Sequence, residues 1–118
     1  MDNQISPVAA GWVWMLRAAA AYNLLVAMPV LLAVATPDSD RIVSLLVACF
    51  GIIYAMIAQS PARFAPVLWA GVIGKVGILA ILGPGVLQGQ GAPGVAPVLA
   101  GDVLFTIGFL AFLLRGVR

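Results

Sequence analysis

Long apolar segments, separated by short polar or Gly/Pro-rich breaks, dominate this chain. The apolar segments run over residues 8–35, 41–58, 62–83 and 96–114. A helix needs about 20 apolar residues to cross the ~30 Å hydrocarbon core of a bilayer, and open strands would leave backbone groups unpaired in lipid. The pattern therefore predicts one all-α transmembrane domain over residues 1–118, an antiparallel four-helix bundle with up-down-up-down topology.

The breaks carry residues that are typical of turns and helix starts. "TPDSDR" (36–41) combines proline with Asp and Ser, which suits a turn followed by an N-cap. In "QSPAR" (59–63), Ser60 is expected to cap the third helix, with Pro61 at its first position. "GPGVLQGQGAPGVAP" (83–97) is read as a loop without charge. The first two connections are short, which favours antiparallel neighbours.

Composition supports a membrane location. Of 118 residues, 64% are hydrophobic and 8% are charged, and the mean hydropathy is +1.14. A soluble domain carries about 25% charged residues, so the apolar excess must face lipid. The net charge of +2 is too small for a nucleic-acid surface. The chain has no histidine and one cysteine, Cys49, so we expect no metal site, cofactor or disulfide within one chain.

Basic residues are distributed unevenly between the two sides of the membrane. The connection that follows the first span carries Arg41 beside Asp38 and Asp40. The side that holds both termini carries Arg17, Arg63, Arg115 and Arg118. The positive-inside rule then predicts cytoplasmic termini.

Lys75, in "WAGVIGKVGILAILG", is the unusual residue of the third span. A charge at the centre of a bilayer costs about 2.5–3.5 kcal/mol on insertion scales, and such residues normally find a partner. The acid within a predicted span is Asp102. Lys75 lies ~12 Å from the outer end of its helix and Asp102 ~9 Å from the outer end of the next, at 1.5 Å per residue. We therefore predict an ion pair between them, with Thr106 placed to hydrogen-bond the carboxylate.

A second polar layer is expected between the first two helices. Asn23 lies ~18 Å and Tyr54 ~20 Å from the outer ends of their helices, which predicts an Asn–Tyr hydrogen bond. Tyr22 is next to Asn23. Such contacts commonly hold transmembrane helices together. The polar residues of the spans are also candidates to line a small-molecule cavity. These residues are Tyr22, Asn23, Tyr54, Lys75, Asp102 and Thr106. Cys49 is expected to be a buried small hydrophobe.

The sequence contains no enzymatic motif that we recognise. "GVIGKVG" lacks the strand and the Ser or Thr that a phosphate-binding loop requires. The short elements "YN" in the first helix, "GK" in the third and "GD" at the head of the fourth accompany the four spans. In this architecture the chain resembles small four-helix inner-membrane proteins of bacteria, loosely the DoxX-like group. The resemblance implies a multi-pass protein of a bacterial inner (plasma) membrane and no catalytic residue.

Three functional interpretations follow. The first is a non-enzymatic accessory subunit or binder of a lipophilic small molecule, organised around Lys75 and Asp102 and able to form homo- or hetero-oligomers. The second is a minimal transporter or proton-coupled permease, which would need a water-accessible path to Lys75. The third is a membrane enzyme that acts on a lipid or isoprenoid with Asp102 as acid or base. The lack of histidine or a second carboxylate in the spans counts against the third. The pair itself has an architectural interpretation, because buried ion pairs also fix helix register.

Overall fold

The computed structural model describes residues 8–117, and within that range the chain forms helices and no strands. The helices are α1 (Ala10–Leu32), α2 (Asp38–Gln59), α3 (Pro61–Phe64), α4 (Leu68–Leu87) and α5 (Val95–Ala111). A 3₁₀ turn, Ala65–Val67, lies between α3 and α4, and a π-helical turn, Phe112–Gly116, follows α5. The all-α class predicted from the sequence is confirmed.

Four helical segments are long and apolar enough to cross a membrane. They are Ala10–Leu32, Asp38–Gln59, Pro61–Leu87 and Val95–Gly116. Only 28–33% of the most apolar window of each span is buried. In water so much exposed apolar surface would be unfavourable, whereas lipid tails solvate it. By length and composition the chain is a multi-pass membrane protein, and the four apolar helices predicted for a four-helix bundle are present.

The chain divides into two compact units. The first ends at Ala65 and contains the antiparallel hairpin of α1 and α2, whereas the second begins at Pro66 and contains the hairpin of α4 and α5. Each unit is described by itself below. The assembly of all four helices into one domain stays a prediction.

The second span begins earlier than the sequence indicated. Pro37, rather than Asp or Ser, occupies the N-cap position of α2, and its carbonyl accepts the first helical bond from the amide of Arg41 at 3.1 Å. Asp38 and Asp40 therefore lie inside the first turn, where carboxylates interact favourably with the helix dipole. Pro61 occupies the first position of α3 as predicted, but the Ser60 side chain makes no capping hydrogen bond.

The end of α4 differs most from the predicted boundary at Gly83. The helix continues through Pro84 to Leu87. It stops at Gly89, whose φ of 75° is left-handed. The Gly89 amide donates to the Val86 carbonyl at 3.0 Å and the Gln90 amide to the Gly85 carbonyl at 2.7 Å. This bonding pattern is a Schellman motif. A helical proline gives up one hydrogen bond, whereas Gly89 reverses the backbone, so the glycine sets the boundary.

Candidate functional site

The buried faces of α4 and α5 bring the two intramembrane charges into the core of the second unit. Buried positions on each helix recur every three or four residues, the spacing that places them on one face. On α4 they are Leu68, Gly71, Val72 and Lys75, and on α5 they are Leu99, Asp102, Thr106 and Phe109. Lys75 and Asp102 thus lie on the same helix faces as the apolar core residues.

Lys75 and Asp102 form a direct ion pair. The Lys75 Nζ donates a hydrogen bond to Asp102 Oδ1 at 2.7 Å, the length of a strong charge-assisted bond. The two side chains are only 7% and 12% exposed. The pair predicted from helix depth is confirmed. It neutralises both charges where neither has access to much solvent.

Lys75 and Asp102 lie at different distances from the ends of their helices. With the observed helix ends, Lys75 lies ~18 Å from the end of α4, whereas Asp102 lies ~10 Å from the start of α5. Because the two side chains nevertheless meet, α4 projects about 8 Å, or roughly one and a half turns, beyond the start of α5. Most of the extra length is the stretch from Pro84 to Leu87, which the sequence pattern had assigned to the loop.

Thr106 does not hold the carboxylate, contrary to the prediction. Its Oγ1 donates to the backbone carbonyl of Asp102 at 2.6 Å. A helical threonine reaches the carbonyl four residues earlier without leaving its preferred rotamer, so this bond forms locally. The hydroxyl is thereby satisfied in its buried position, and the Asp102 carboxylate is left to Lys75.

Phe105 is a site residue that the sequence interpretation missed. Its ring centroid lies 6.0 Å from the Lys75 Nζ, at the outer range of a cation–π contact. Phe105 follows Asp102 by three residues, so both side chains lie on neighbouring parts of the α5 surface. The three-residue spacing between Asp102 and Phe105 was the sequence signal that could have identified Phe105 as a neighbour of the ion pair.

In the first unit, Asn23 joins the two helices of the hairpin. Its Nδ2 donates to the backbone carbonyl of Val47 at 3.0 Å. Close by, a Cβ added to Gly51 would lie 3.0 Å from the Asn23 Cβ and 3.1 Å from the Ala20 carbonyl oxygen. The helices therefore approach each other closely where α2 carries glycine, and the Asn23 side chain crosses to α2 near the same level.

The two tyrosines belong to this unit as well. Tyr54 is 1% exposed, and its ring lies 6.3 Å from that of Phe50, centroid to centroid. Tyr22 is half-buried. The structure places Tyr54 one turn beyond Gly51 on α2, near the level of Asn23. The proposed Asn23–Tyr54 hydrogen bond stays a prediction.

The six predicted site residues thus fall into two groups of three. Lys75, Asp102 and Thr106 come together in the second unit, whereas Tyr22, Asn23 and Tyr54 lie in the first. A cavity shared by all six stays a prediction. Cys49 was wrongly expected to be buried, because it lies exposed on α2.

The chemistry available at the ion pair is hydrogen bonding and charge compensation. Across residues 8–117, no group of three His, Cys, Asp or Glu side chains is placed to hold a metal ion. A carboxylate has about four acceptor sites on its two oxygens, and Lys75 bonds Oδ1. The site can therefore accept further hydrogen bonds from a donor that reaches Asp102.

Comparison with known proteins does not extend this assignment. No protein-family model, no curated protein and no solved structure matches the chain.

Proposed function

We propose that this chain is a non-enzymatic membrane protein that binds a lipophilic small molecule at the Lys75–Asp102 pair. The observation that carries the proposal is the 2.7 Å ion pair on the buried face of the α4–α5 hairpin. Ionisable groups inside a membrane are costly and usually serve a function. Small-molecule sites are mostly apolar with a few convergent polar groups, which is the composition of this hairpin.

The acceptor capacity of Asp102 indicates the class of ligand. Its side chain is 12% exposed, so a hydrogen-bond donor can approach the carboxylate. An acceptor in hydrocarbon gains more from a partner than it would in water. A molecule with a hydroxyl or amide group and an apolar body satisfies both requirements. Its body would lie on apolar side chains one turn from the pair, such as Ile78 on α4, which is exposed, and Phe105 on α5, which is half-buried.

The arginine distribution supports an orientation for this site. We infer that both termini are cytoplasmic, because the side that holds them carries four of the five arginines. Lys75 and Asp102 then lie in the outer half of the membrane. The resemblance to small four-helix bacterial proteins supports an inner-membrane location as part of this proposal.

The proposal is tested by what the purified protein retains. Wild type and the Lys75→Met/Asp102→Ala double variant are purified in mild detergent, and their organic extracts are compared by mass spectrometry. We expect a lipophilic compound at near-stoichiometric level with wild type and a depleted level with the double variant. Thr106→Val, which leaves both charges in place, is the matched control and should retain the compound. Identical extracts from equally helical wild type and double variant would refute ligand binding at the pair.

A second candidate, an accessory subunit of a larger membrane complex, is favoured by the exposure of the helices. At least two thirds of the apolar stretch of each span is unburied, and a Cβ at Gly74 on α4 would meet nothing within 4 Å. Small residues on an exposed face allow a neighbouring helix to approach closely. A protein that copurifies stoichiometrically in mild detergent, and that Gly74→Leu displaces, would favour this role over ligand binding.

A further inference from the structure

Two arginines at one end of the first unit share an unusual environment. The Arg17 guanidinium lies over the Trp14 ring, 4.9 Å from its centroid, and the Arg63 guanidinium lies 5.3 Å from the centroid of Phe64. Both arginines are exposed. A guanidinium carries five N–H donors, so an arginine in cation–π contact with a ring still has donors for phosphate, the anion that its planar fork recognises bidentately.

The chain direction places both guanidiniums toward the same end of the hairpin. Trp14 precedes Arg17 by one turn, so the contact draws the Arg17 charge toward the N-terminal end of α1. The Asn23–Val47 hydrogen bond fixes the register of the antiparallel pair. Arg63 follows the C-terminal end of α2, within α3, and that end of α2 pairs with the N-terminal end of α1. Trp14 is 64% exposed, and tryptophan is enriched where transmembrane helices meet lipid headgroups.

The opposite end of the hairpin has a different charge balance. Arg41 donates through Nε to the Leu31 carbonyl at 3.2 Å and lies 4.0 Å from an Asp38 carboxylate oxygen. Asp38 and Asp40 outnumber this single arginine there. In the part of the chain that the structure describes, Arg17 and Arg63 have no carboxylate within ion-pair distance, and Asp2 lies outside the described residues. An anion is therefore attracted to one end of the hairpin and not to the other.

We propose that Arg17 and Arg63, each in cation–π contact with its aromatic ring, bind the headgroup phosphates of anionic phospholipid in preference to zwitterionic phospholipid. A basic side chain near an anionic membrane surface contributes about fivefold in affinity, which corresponds to about 1 kcal/mol per charge. Two such residues give a preference on the order of 25-fold at low salt. The preference weakens as ionic strength rises, because exposed charges are screened over about 10 Å at 0.1 M salt.

The experiment uses the fluorescence of Trp14 in the full chain. Trp12 and Trp69 are replaced by Phe, and the protein in detergent micelles is titrated with brominated phosphatidylglycerol or brominated phosphatidylcholine of the same chain length. The ratio of the two half-quenching concentrations measures headgroup preference within each variant. That ratio is insensitive to any direct effect of a nearby substitution on Trp14 emission, and circular dichroism confirms that each variant is equally helical.

We expect the phosphatidylglycerol preference to fall about fivefold in Arg17→Gln or Arg63→Gln and to vanish in the double variant. Arg41→Gln makes the same charge change at the other end and should keep the full preference. Equal quenching by the two lipids in the parent protein would overturn the proposal, as would an equal loss in Arg41→Gln. Complete displacement of phosphatidylglycerol by excess inorganic phosphate at constant ionic strength would also overturn it, because the site would then recognise free phosphate rather than a lipid surface.

Discussion

Removing one partner of the Lys75–Asp102 pair should destabilise the protein far more than removing both. At 2.7 Å the attraction between the charges amounts to roughly 6 kcal/mol for an effective dielectric constant near 20. Much of that offsets the desolvation of two ions, so the intact pair adds little net stability. A single substitution removes the attraction but leaves the other ion buried. Lys75→Met or Asp102→Ala alone should therefore cost about 3–5 kcal/mol, similar to the insertion cost of one charge.

The double variant should recover most of this loss. With both charges gone, no ion remains to be desolvated, and Met matches the apolar stem of lysine in length. Replacement of buried ion pairs by apolar groups is often neutral or stabilising. We expect Lys75→Met/Asp102→Ala to lie within about 1 kcal/mol of wild type, so that the two substitutions are strongly non-additive.

The assay is reversible unfolding in mixed micelles, in which the fraction of SDS is increased and tryptophan fluorescence is followed. Each single variant should shift the unfolding equilibrium constant by roughly two to four orders of magnitude, since 1.4 kcal/mol corresponds to tenfold. Thr106→Val, which removes only a local bond to a backbone carbonyl, controls for general sensitivity of α5 and should cost about 1 kcal/mol or less. Single variants that unfold like wild type, or a double variant whose loss equals the sum of the singles, would refute the electrostatic reasoning.

Three further predictions concern helix packing, chiefly in the first unit, and all are checked by the same unfolding assay. Gly51→Val should cost about 1–3 kcal/mol, because its Cβ would lie 3.1 Å from a backbone oxygen of α1. Gly74→Ala, whose Cβ would have nothing within 4 Å, should be neutral or stabilising by up to about 1 kcal/mol. Equal effects of the two substitutions would mean that α1 and α2 are not closely packed at Gly51. Asn23→Ala should cost about 0.5–1.5 kcal/mol through loss of its hydrogen bond to the α2 backbone, and an unchanged midpoint would show that the bond adds nothing. Cys49→Leu, at an exposed position, should change stability by about 0.5 kcal/mol or less. Ala48→Leu, at a position that is 6% exposed, should cost about 1–3 kcal/mol. A larger loss of stability in Cys49→Leu than in Ala48→Leu would contradict the orientation of α2.

At two helix ends, the sequence contains more than one signal for the boundary of the helix. Both Pro84 and Gly89 are helix-stop signals, and the sequence pattern does not rank them. The structure does, because only the left-handed backbone at Gly89 allows the paired Schellman bonds. Similarly, Asp38 and Asp40 suit either an N-cap or a first turn. The carbonyl of Pro37 places them in the first turn by accepting the first helical bond.

The sequence by itself determined the all-α class, the four spans and the ion pair. Apolar length specifies membrane-crossing helices because lipid cannot satisfy an open backbone. One lysine and one aspartate within adjacent spans must pair, because either ion alone is costly in hydrocarbon.

Only the tertiary structure decided which way the remaining side chains face. A helix immersed in lipid is apolar on every side, so periodicity does not separate its buried face from its exposed face, and Cys49 was placed on the wrong one. The sequence also did not reveal those hydrogen-bond acceptors that are backbone carbonyls. Asn23 bonds the carbonyl of Val47, and Thr106 bonds that of Asp102. Every residue carries such a carbonyl, so residue type does not identify the acceptor, and only the register and rotation of the packed helices do.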